Sequence, residues 1–430
     1  MKTNRYLLFF ILSVLSFSSC SRKDEVQSEY EKMGLKNNIS SINDKERYAL
    51  KIYSNLETAF ENYVTRSKEK YLYPDYYGGA FVDDKGDLVI LVTDTSHQIK
   101  HNLMTYAKSP DISFEKCIYS FNELNELNKE LSSYFSDQQL CEELTWEGSG
   151  IDVRKNCIII SLKDCSNFSI HRFKQRVMDS PMLKFEQIGE IQWDSECIPI
   201  DSVQLDTRSS FMYNLHLGSA YHLTGKTESG EEAIFRGSVG FRAMRMNELQ
   251  LEHGFVTAAH CLPKIGMKIK YGRDGDLYLG VVRDVKLNTT SDVAFVAVDY
   301  TTYYPTNCAW VTKTPIADSY LKYNSLVGYH IVTEGQKSAM PVLSIIALLN
   351  QQVRIKQWTA AGNVNFIAKN MVVATFTGGK TQEGDSGAIV YTESGSRIVG
   401  VHSGQYNSNQ YISSADLATQ ELLLRDGWYK

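Results

Sequence analysis

The sequence contains no long run of basic residues, and its 430 residues carry a formal net charge of −5. Recognition of nucleic acids depends on clustered positive charge, so the charge pattern argues against a nucleic-acid partner. The cysteines follow no zinc-type spacing, and His97 and His101, four residues apart, have no evident third ligand. We therefore expect neither a metal site nor a cofactor. Apolar residues make up 43% of the chain, which is typical of a globular protein.

The first twenty residues have the layout of an export signal. Lys2 and Arg5 give a positive start, and residues 6–17 form an apolar stretch that is too short to span a membrane. The segment resembles a bacterial lipoprotein signal peptide, with Phe17 near the place where that family usually has leucine. The resemblance implies acylation of Cys20 and anchoring at the outer membrane or cell surface. A plain secretory signal with an incidental cysteine is the alternative.

Export implies an oxidising compartment, in which disulfides form. Beyond Cys20 the chain has seven cysteines, an odd number, so at least one is free or pairs with another molecule. The sequence leaves the pairing open among Cys117, Cys141, Cys157, Cys165, Cys197, Cys261 and Cys308.

Residues 21–44 form a polar tether, and residues 45–200 form an α+β region with an internal duplication. The segment GGAFVDDKGDLVILVTD predicts two strands joined by a turn, and GSGIDVRKNCIIISLKD repeats the pattern further on. Each hairpin is followed by apolar residues at helical spacing and by one more strand. The two copies predict two ββαβ units. Chance similarity between two hairpins is the alternative.

The second half of the chain has a different pattern. Residues 201–211 have few apolar repeats and are predicted to be an exposed linker. In residues 212–430, short strands separated by Gly, Asn and Asp predominate, as in β-barrels and sandwiches. We therefore place the main domain boundary at the linker.

Three short motifs in the β-rich half contain candidate catalytic residues. Ser386 lies in QEGDSGAIVY, where flanking glycines permit the tight turn that a nucleophilic serine needs. TAAHC supplies His260 as a base, and SDVAFVAV supplies Asp292 as the carboxylate that would orient it. The order His260, Asp292, Ser386 is one of the known orders of such a triad. Taken singly, the motifs are also explained by a core histidine, a turn-capping aspartate and an ordinary serine turn.

Together, TAAHC, SDVAFVAV and GDSG resemble the trypsin/chymotrypsin-like serine proteases. SVGFRA followed by HGFVTAAHC resembles the bacterial streptogrisin and α-lytic protease group, and YYGGAFVDDKGDLVILVTD resembles its pro-region. The resemblance covers residues 45–430. It implies two antiparallel six-stranded β-barrels behind a pro-domain that assists folding and then blocks the cleft. It also implies protein or peptide substrates and an oxyanion hole built from the amides of Gly384 and Ser386.

Some positions depart from that family. The cysteine after the catalytic histidine, here Cys261, normally pairs with a cysteine on an earlier strand, where this chain has Ser238. The cysteines that usually flank the nucleophile loop are also absent, and Ala388 stands where glycine is common. Asp385, which contacts the mature N-terminus in the family, is present. The three catalytic side chains are intact.

Substrate specificity is predicted from GVHSG, because the family pairs this strand with the substrate backbone. The resemblance implies substrate contacts for His402, Ser403 and Gly404. Lys380, which precedes the nucleophile by six residues, falls by counting near the base of the pocket. Two cations there would favour a carboxylate, so we expect cleavage after Glu and less often after Asp. The alternative is a strand histidine without substrate contact.

The sequence thus predicts a lipid-anchored precursor of a serine endopeptidase. We expect cleavage between residues 200 and 213, with Asp201 and Asp206 as candidate self-cleavage points. The protease domain, residues 212–430, would then be free to leave the membrane. Two alternatives stay open. One is a non-catalytic surface lipoprotein, an adhesin or scaffold on a protease fold. The other is an active enzyme that never sheds its N-terminal half.

Overall fold

The computed structural model describes residues 36–67, 73–194, 196–199, 213–247, 250–273, 275–287, 290–322, 327–395 and 397–425. The signal segment with Cys20, the tether up to residue 35, and the linker with Asp201 and Asp206 lie outside the described residues. Within the described part, no helix is long and apolar enough to cross a membrane. Residues 41–430 form one compact unit, in which the α+β and β-rich parts pack together.

The described residues form six helices and 23 strands. The helices are α1 Lys36–Ser67, α2 His97–Ala107, α3 Phe121–Phe135, α4 Gln138–Leu144, α5 Asn167–Arg176 and α6 Ala415–Glu421. The strands are β1 Tyr77–Val82, β2 Leu88–Val92, β3 Ser113–Lys116, β4 Trp146–Asp152, β5 Cys157–Leu162, β6 Leu183–Gln187, β7 Gln192–Trp193, β8 Glu196–Pro199, β9 Tyr213–Leu217, β10 Ala220–Lys226, β11 Glu232–Ser238, β12 Arg242–Asn247, β13 Gln250–Thr257, β14 Lys268–Tyr271, β15 Tyr278–Lys286, β16 Val293–Val298, β17 Tyr303–Ala309, β18 His330–Glu334, β19 Val342–Thr359, β20 Gly362–Gly378, β21 Ile389–Thr392, β22 Ile398–Tyr406 and β23 Asn409–Ser414.

The α+β region consists of the two expected ββαβ units. In the first unit, β1 and β2 are antiparallel, α2 follows, and β3 returns parallel to β2. In the second, β4 and β5 are antiparallel, α5 follows, and β6 returns parallel to β5. The predicted duplication is therefore confirmed.

Helix α3 connects the two units and begins at a capping box. Ser120 Oγ accepts a hydrogen bond from the backbone N of Glu123 at 3.2 Å, and the Glu123 carboxylate accepts one from Ser120 N at 2.7 Å. Phe121, Leu124 and Leu131 recur at helical spacing and are buried in the core of the α+β region. The helix thus covers the sheets with its apolar face.

The first β-barrel is built from β10 to β16. Its strands follow the order β12-β13-β16-β15-β14-β10-β11, and β8 is added at the β11 edge. Strands β11 and β12 are the two halves of one strand that bends at residues 239–241, so the barrel has six strands. Gly240 allows the bend to pack tightly, because a Cβ there would lie 2.3 Å from the carbonyl oxygen of Val256.

The second barrel closes on itself. Strands β18, β21, β22, β23, β20 and β19 pair in that order, and β19 pairs back onto β18. The expected class, two antiparallel six-stranded barrels behind an α+β region, is confirmed. One feature was not foreseen: β19 and β20 form a hairpin with strands of 18 and 17 residues, and β4 pairs antiparallel with β19. A sheet therefore continues from the second barrel into the second ββαβ unit.

Candidate active site

Three loops bring the predicted triad residues together between the barrels. His260 follows β13 and Asp292 precedes β16 in the first barrel, whereas Ser386 precedes β21 in the second. All three side chains are fully buried. Residues that are 126 positions apart along the chain meet here. Only the packing of one barrel on the other could create this contact.

His260 bridges the other two residues. Its Nδ1 lies 2.6 Å from Asp292 Oδ2, and its Nε2 lies 2.7 Å from Ser386 Oγ. The backbone N of His260 also donates to Asp292 Oδ1 at 2.8 Å, so the carboxylate holds both the ring and the main chain. This two-point contact fixes the orientation of the imidazole toward the serine.

The environment favours a proton on His260. Burial by itself lowers the pKa of His260, but the charge and hydrogen bond of Asp292 bring that pKa well above its ordinary value. Ser386 Oγ lies 2.9 Å from the carbonyl oxygen of Ser403 as well as close to His260. A hydroxyl has a single proton to donate. With His260 protonated, Ser386 donates to Ser403, and with His260 neutral, it donates to the imidazole.

The turn that carries Ser386 depends on two glycines in the left-handed region. Gly384 has φ +99° and Gly387 has φ +84°. A Cβ at Gly387 would lie 2.0 Å from Thr257 Oγ1, so no other side chain fits there. Ser238 donates from Oγ to the carbonyl oxygen of Gly384 at 2.9 Å. A side chain of the first barrel thus helps to hold the turn that carries Ser386.

Asp385 is held inside the protein by amides and a hydroxyl. Its carboxylate accepts hydrogen bonds from Lys337 N at 2.8 Å, Ser338 Oγ at 2.7 Å and Gln382 N at 3.0 Å. Burial raises the pKa of Asp385, although these donors act in the opposite direction. Asp385 is therefore fixed in the uncut chain.

The two amides predicted to form the oxyanion hole both donate to one carbonyl oxygen. The backbone N of Gly384 lies 2.5 Å and that of Ser386 3.1 Å from the carbonyl oxygen of Asp194. Asp194 N lies 3.4 Å from the carbonyl oxygen of Ser403, and β7 pairs antiparallel with β22 at Gly404. A segment of the chain itself thus crosses the cleft as an added strand.

The side chain of Asp194 enters a closed polar pocket. His402 Nε2 lies 2.8 Å from one carboxylate oxygen, and Gln405 Nε2 donates to the other at 3.3 Å. Asp194 and His402 are fully buried. A register shift between His402 and Gly404 breaks the alternation of β22, which lets His402 and Gln405 both reach the same carboxylate.

The structure does not bring Lys380 to this pocket, so the placement predicted by counting needs correction. Lys380 is exposed, because β20 ends at Gly378 and the chain turns at Gly379 with φ +78°. The contacts to the Asp194 carboxylate come from His402 and Gln405 instead. Gln405 was missed in the sequence, although it directly follows the predicted substrate-binding strand residues.

The described cysteines are all free thiols. Cys117, Cys141, Cys157 and Cys261 are buried, and no described pair forms a disulfide. The rings of His97 and His101 stack at 6.4 Å on α2. Nowhere in the described ranges do three or more His, Cys, Asp or Glu side chains come together as a group able to hold a metal.

Comparison with known proteins assigns the α+β region. Residues 39–117 match the family model described as the Pro-like N-terminal domain, and residues 122–188 match the Pro-like C-terminal domain. The chain resembles a pro-region serine protease. We call residues 39–188 the pro-domain from here on. Its two matched parts correspond to the first and second ββαβ units.

Solved structures with similarity to the chain include bacterial proteases. The Nocardiopsis protease NAPase is 20% identical over 50% of this chain and 98% of its own, with a TM-score of 0.37. Thermobifida fusca protease A is 17% identical over 50% of this chain and 98% of its own, with a TM-score of 0.36. The alpha-lytic protease homolog N4 is 14% identical over 49% of this chain and 98% of its own, with a TM-score of 0.37. No curated protein matches the chain.

Proposed function

We propose that the chain is an exported serine endopeptidase made as a precursor, and that its pro-domain assists folding and blocks the cleft until processing. One observation carries the proposal. The carbonyl oxygen of Asp194 accepts hydrogen bonds from the amides of Gly384 and Ser386, beside a serine in contact with His260. A carbonyl held in this way is positioned as a peptide substrate would be.

The proposed mechanism uses each side chain for one task. Ser386 Oγ attacks the substrate carbonyl carbon, and His260 Nε2 takes the hydroxyl proton and returns it to the leaving amine. Asp292 orients His260 and stabilises the imidazolium that forms. The amides of Gly384 and Ser386 stabilise the negative charge on the carbonyl oxygen. Water then attacks the acyl-enzyme, with His260 again as the base.

An acidic preference is part of the proposal. His402 and Gln405 offer two donors to a carboxylate, and the pocket around Asp194 is closed to solvent. A buried donor left without a partner is costly, so a site of this kind rejects a side chain that lacks the carboxylate. The contacts support cleavage after Asp, and Glu differs from it by a single methylene.

Export and lipid anchoring at Cys20 complete the proposal, with the protein at the outer membrane or cell surface. The signal layout of residues 1–20 supports this location. Mass spectrometry of the protein from membranes tests it, because acylation adds the mass of the lipid to an N-terminal Cys20. Cys20→Ser should lack that mass and leave the membrane fraction. A wild-type protein that is found outside the membrane fraction, with its N-terminus uncut, would contradict the lipoprotein signal.

The activity is tested with Ser386→Ala in the exported protein. We expect the variant to lose hydrolysis of peptides and covalent labelling by an organophosphonate, because both need the Ser386 hydroxyl. Ser229→Ala changes an exposed loop serine and should keep both. Turnover that persists in Ser386→Ala would contradict the mechanism. A folded wild-type protein that neither cuts peptides nor takes up the label would favour the adhesin or scaffold alternative.

A further inference from the structure

Beyond Asp194 the chain continues into a second strand that is held by charge. Strand β8 pairs antiparallel with β11, with Glu196 opposite Arg236. The Glu196 carboxylate lies 3.3 Å from Arg236 Nη1 and 3.4 Å from Gln336 Nε2, and it forms an ion pair with Lys337. The side chains of Glu196 and Arg236 are only 8% and 6% exposed. Glu196 therefore fills a buried basic pocket, two residues after Asp194.

This burial makes the pocket selective. An exposed ion pair contributes little to binding, because water solvates both charges nearly as well. A buried pair is different, since replacing one partner by a neutral group leaves the other charge buried and uncompensated. Glutamine at position 196 would remove the carboxylate that pairs with Arg236 and Lys337. The cleft thus contacts acidic side chains on both sides of a single peptide bond.

We propose that the peptide bond after Asp194 is this chain's own first substrate, and that Arg236 and Lys337 form a subsite for an acidic residue two positions beyond the bond that is cut. This inference rests on the proposed endopeptidase function. It differs from the expected cleavage between residues 200 and 213, because it selects the bond whose carbonyl already lies against the two amides. The same two contacts should select substrates of the sequence Asp-X-Glu from other proteins.

The reaction balances without any external reagent except water. Ser386 Oγ forms an ester bond with the carbonyl carbon of Asp194, and the bond from that carbon to the nitrogen of Ser195 breaks. His260 carries the hydroxyl proton to that nitrogen, which leaves as the new α-amine. Water then cleaves the ester, leaving an α-carboxylate on Asp194 and a restored Ser386. The product fragments end at Asp194 and begin at Ser195.

Strand pairing holds the chain before and after the bond that follows Asp194. Strand β7 pairs with β22 on one side, and β8 pairs with β11 on the other, so both flanks of the bond are fixed. The ring centroid of Trp193 lies 6.3 Å from that of His260, which is fully buried. Gly404 allows β7 to pack closely on β22, because a Cβ there would lie 2.5 Å from the carbonyl oxygen of Gln192.

Self-cleavage is measured on the full precursor by intact mass and N-terminal sequencing over time. We expect the wild-type chain to yield a fragment that begins at Ser195, and Ser386→Ala to stay whole. Asp194→Asn and Glu196→Gln should each slow this cut about tenfold or more, because each leaves buried donors without a carboxylate. Thermal unfolding of every variant checks that it folds. Glu228→Gln, at an exposed acidic residue, and Asp201→Asn, which removes a candidate cleavage point in the linker, should be cut at the wild-type rate.

Three results would overturn the self-cleavage proposal. They are a cut in Ser386→Ala, a first cut at another bond such as that after Asp201 or Asp206, and normal cutting of folded Asp194→Asn. A first cut elsewhere would leave the proposed endopeptidase function standing. An absence of peptide hydrolysis by any form of the wild-type protein would remove that function as well. The two failures are therefore distinguishable.

The basic subsite is tested in trans with enzyme that has also been cut between residues 200 and 213, so that its own Glu196 is removed, and with an octapeptide of sequence QWDSECIP. Changing its glutamate to glutamine should lower kcat/KM about tenfold or more, and Lys337→Gln should lower it in a similar way. In Lys337→Glu, a peptide with lysine in place of glutamate should become the better substrate. A purely structural role for Lys337 predicts equal losses for all peptides. Equal losses, or equal rates with both peptides in the wild-type enzyme, would overturn the subsite.

Discussion

The backbone amide of Lys337 donates a 2.8 Å hydrogen bond to the carboxylate of Asp385, the residue just before Ser386. Ser338 Oγ donates to the same carboxylate at 2.7 Å. These donors belong to the second barrel and are present in the uncut chain. The turn that carries Ser386 therefore has its hydrogen-bond donors without a newly created N-terminus. In the proposed precursor, the segment around Asp194 closes the site.

The first prediction concerns the packing around Asp385. A Cβ at Gly335 would lie 2.3 Å from Asp385 Oδ1, so Gly335→Ala should displace the carboxylate from its hydrogen-bond donors. We expect a loss of about 1–3 kcal/mol in the free energy of unfolding. Because Asp385 adjoins Ser386, hydrolysis should fall by at least about tenfold. Denaturant unfolding and peptide turnover measure the two effects.

Gly378→Ala is the matched control for this substitution. Its nearest neighbour would be Leu343 Cδ1 at 3.5 Å, which is an ordinary contact distance. This variant should keep both stability and turnover. A Gly335→Ala protein as active as the wild type would show that the position of Asp385 does not govern the nucleophile turn.

The second prediction concerns Asp292. Asp292→Asn keeps the size of the side chain but removes the charge that fixes the tautomer of His260, and we expect kcat to fall by about 10⁴-fold. The KM for peptides should change little, because Asp292 does not line the pocket around Asp194. Asp276→Asn, at an exposed loop aspartate paired with Lys270, serves as the control. Steady-state kinetics with a peptide substrate distinguish the two variants, and a similar loss in both would argue against the assigned role.

The third prediction concerns pH. The Asp292 carboxylate raises the pKa of His260 in the closed precursor by more than burial lowers it. Only the neutral imidazole accepts the proton of Ser386, so cleavage of the precursor should be slow when His260 is protonated. We expect its rate to rise with pH, with the midpoint above the ordinary histidine range. Rates measured on the precursor over a pH series give this midpoint, and a rate that falls with pH would contradict it.

The fourth prediction concerns the association of helix α1 with the second barrel. His330 pairs with Glu46, and this contact raises the pKa of His330, although burial acts against it. Burial of Glu57 raises its pKa to about 7, with Lys322 and Arg397 lowering it in part. Both pKa values are higher in the associated state than in the separated state. Both groups therefore stabilise the association at low pH, and this stabilisation is lost as pH rises through the two pKa values. The cleaved pro-domain should separate more readily on going from about pH 6 to pH 8.

Size-exclusion chromatography of the cleaved protein at a series of pH values measures this separation. His330→Gln should weaken the pH dependence, because it removes one of the titrating groups. Lys356→Gln loses the ion pair with Glu142, another contact between the pro-domain and the second barrel, but should keep the dependence, since a lysine stays charged throughout this range. Separation that does not vary with pH in the wild-type protein would contradict the prediction.

Features written in contiguous residues were predictable from the sequence. The two ββαβ units were found because each strand, turn and helix has its own local pattern. His260, Asp292 and Ser386 were found because each lies in a short motif and their order is informative. These signals need no knowledge of which strands become neighbours.

Features that depend on long-range register were not predictable. Asp194 and Glu196 lie in a stretch without a motif, and their roles appear only when β7 pairs with β22 and β8 with β11. Counting back from Ser386 placed Lys380 in the pocket, but a turn at the end of β20 turns it to the solvent. Sequence distance gave no measure of that turn.

The pairing of β4 with β19 ties one edge of the second barrel to the pro-domain. Strand β4 covers one edge of β19 around Leu349, Gln352 and Val353, where it supplies backbone partners. Under the proposed processing, loss of the pro-domain would leave that edge without partners, with N–H and C=O groups directed at the solvent. An unpaired strand edge can bind other chains, because any extended segment can add to it as a further strand. The freed protease would thus carry a docking edge, one the precursor keeps hidden.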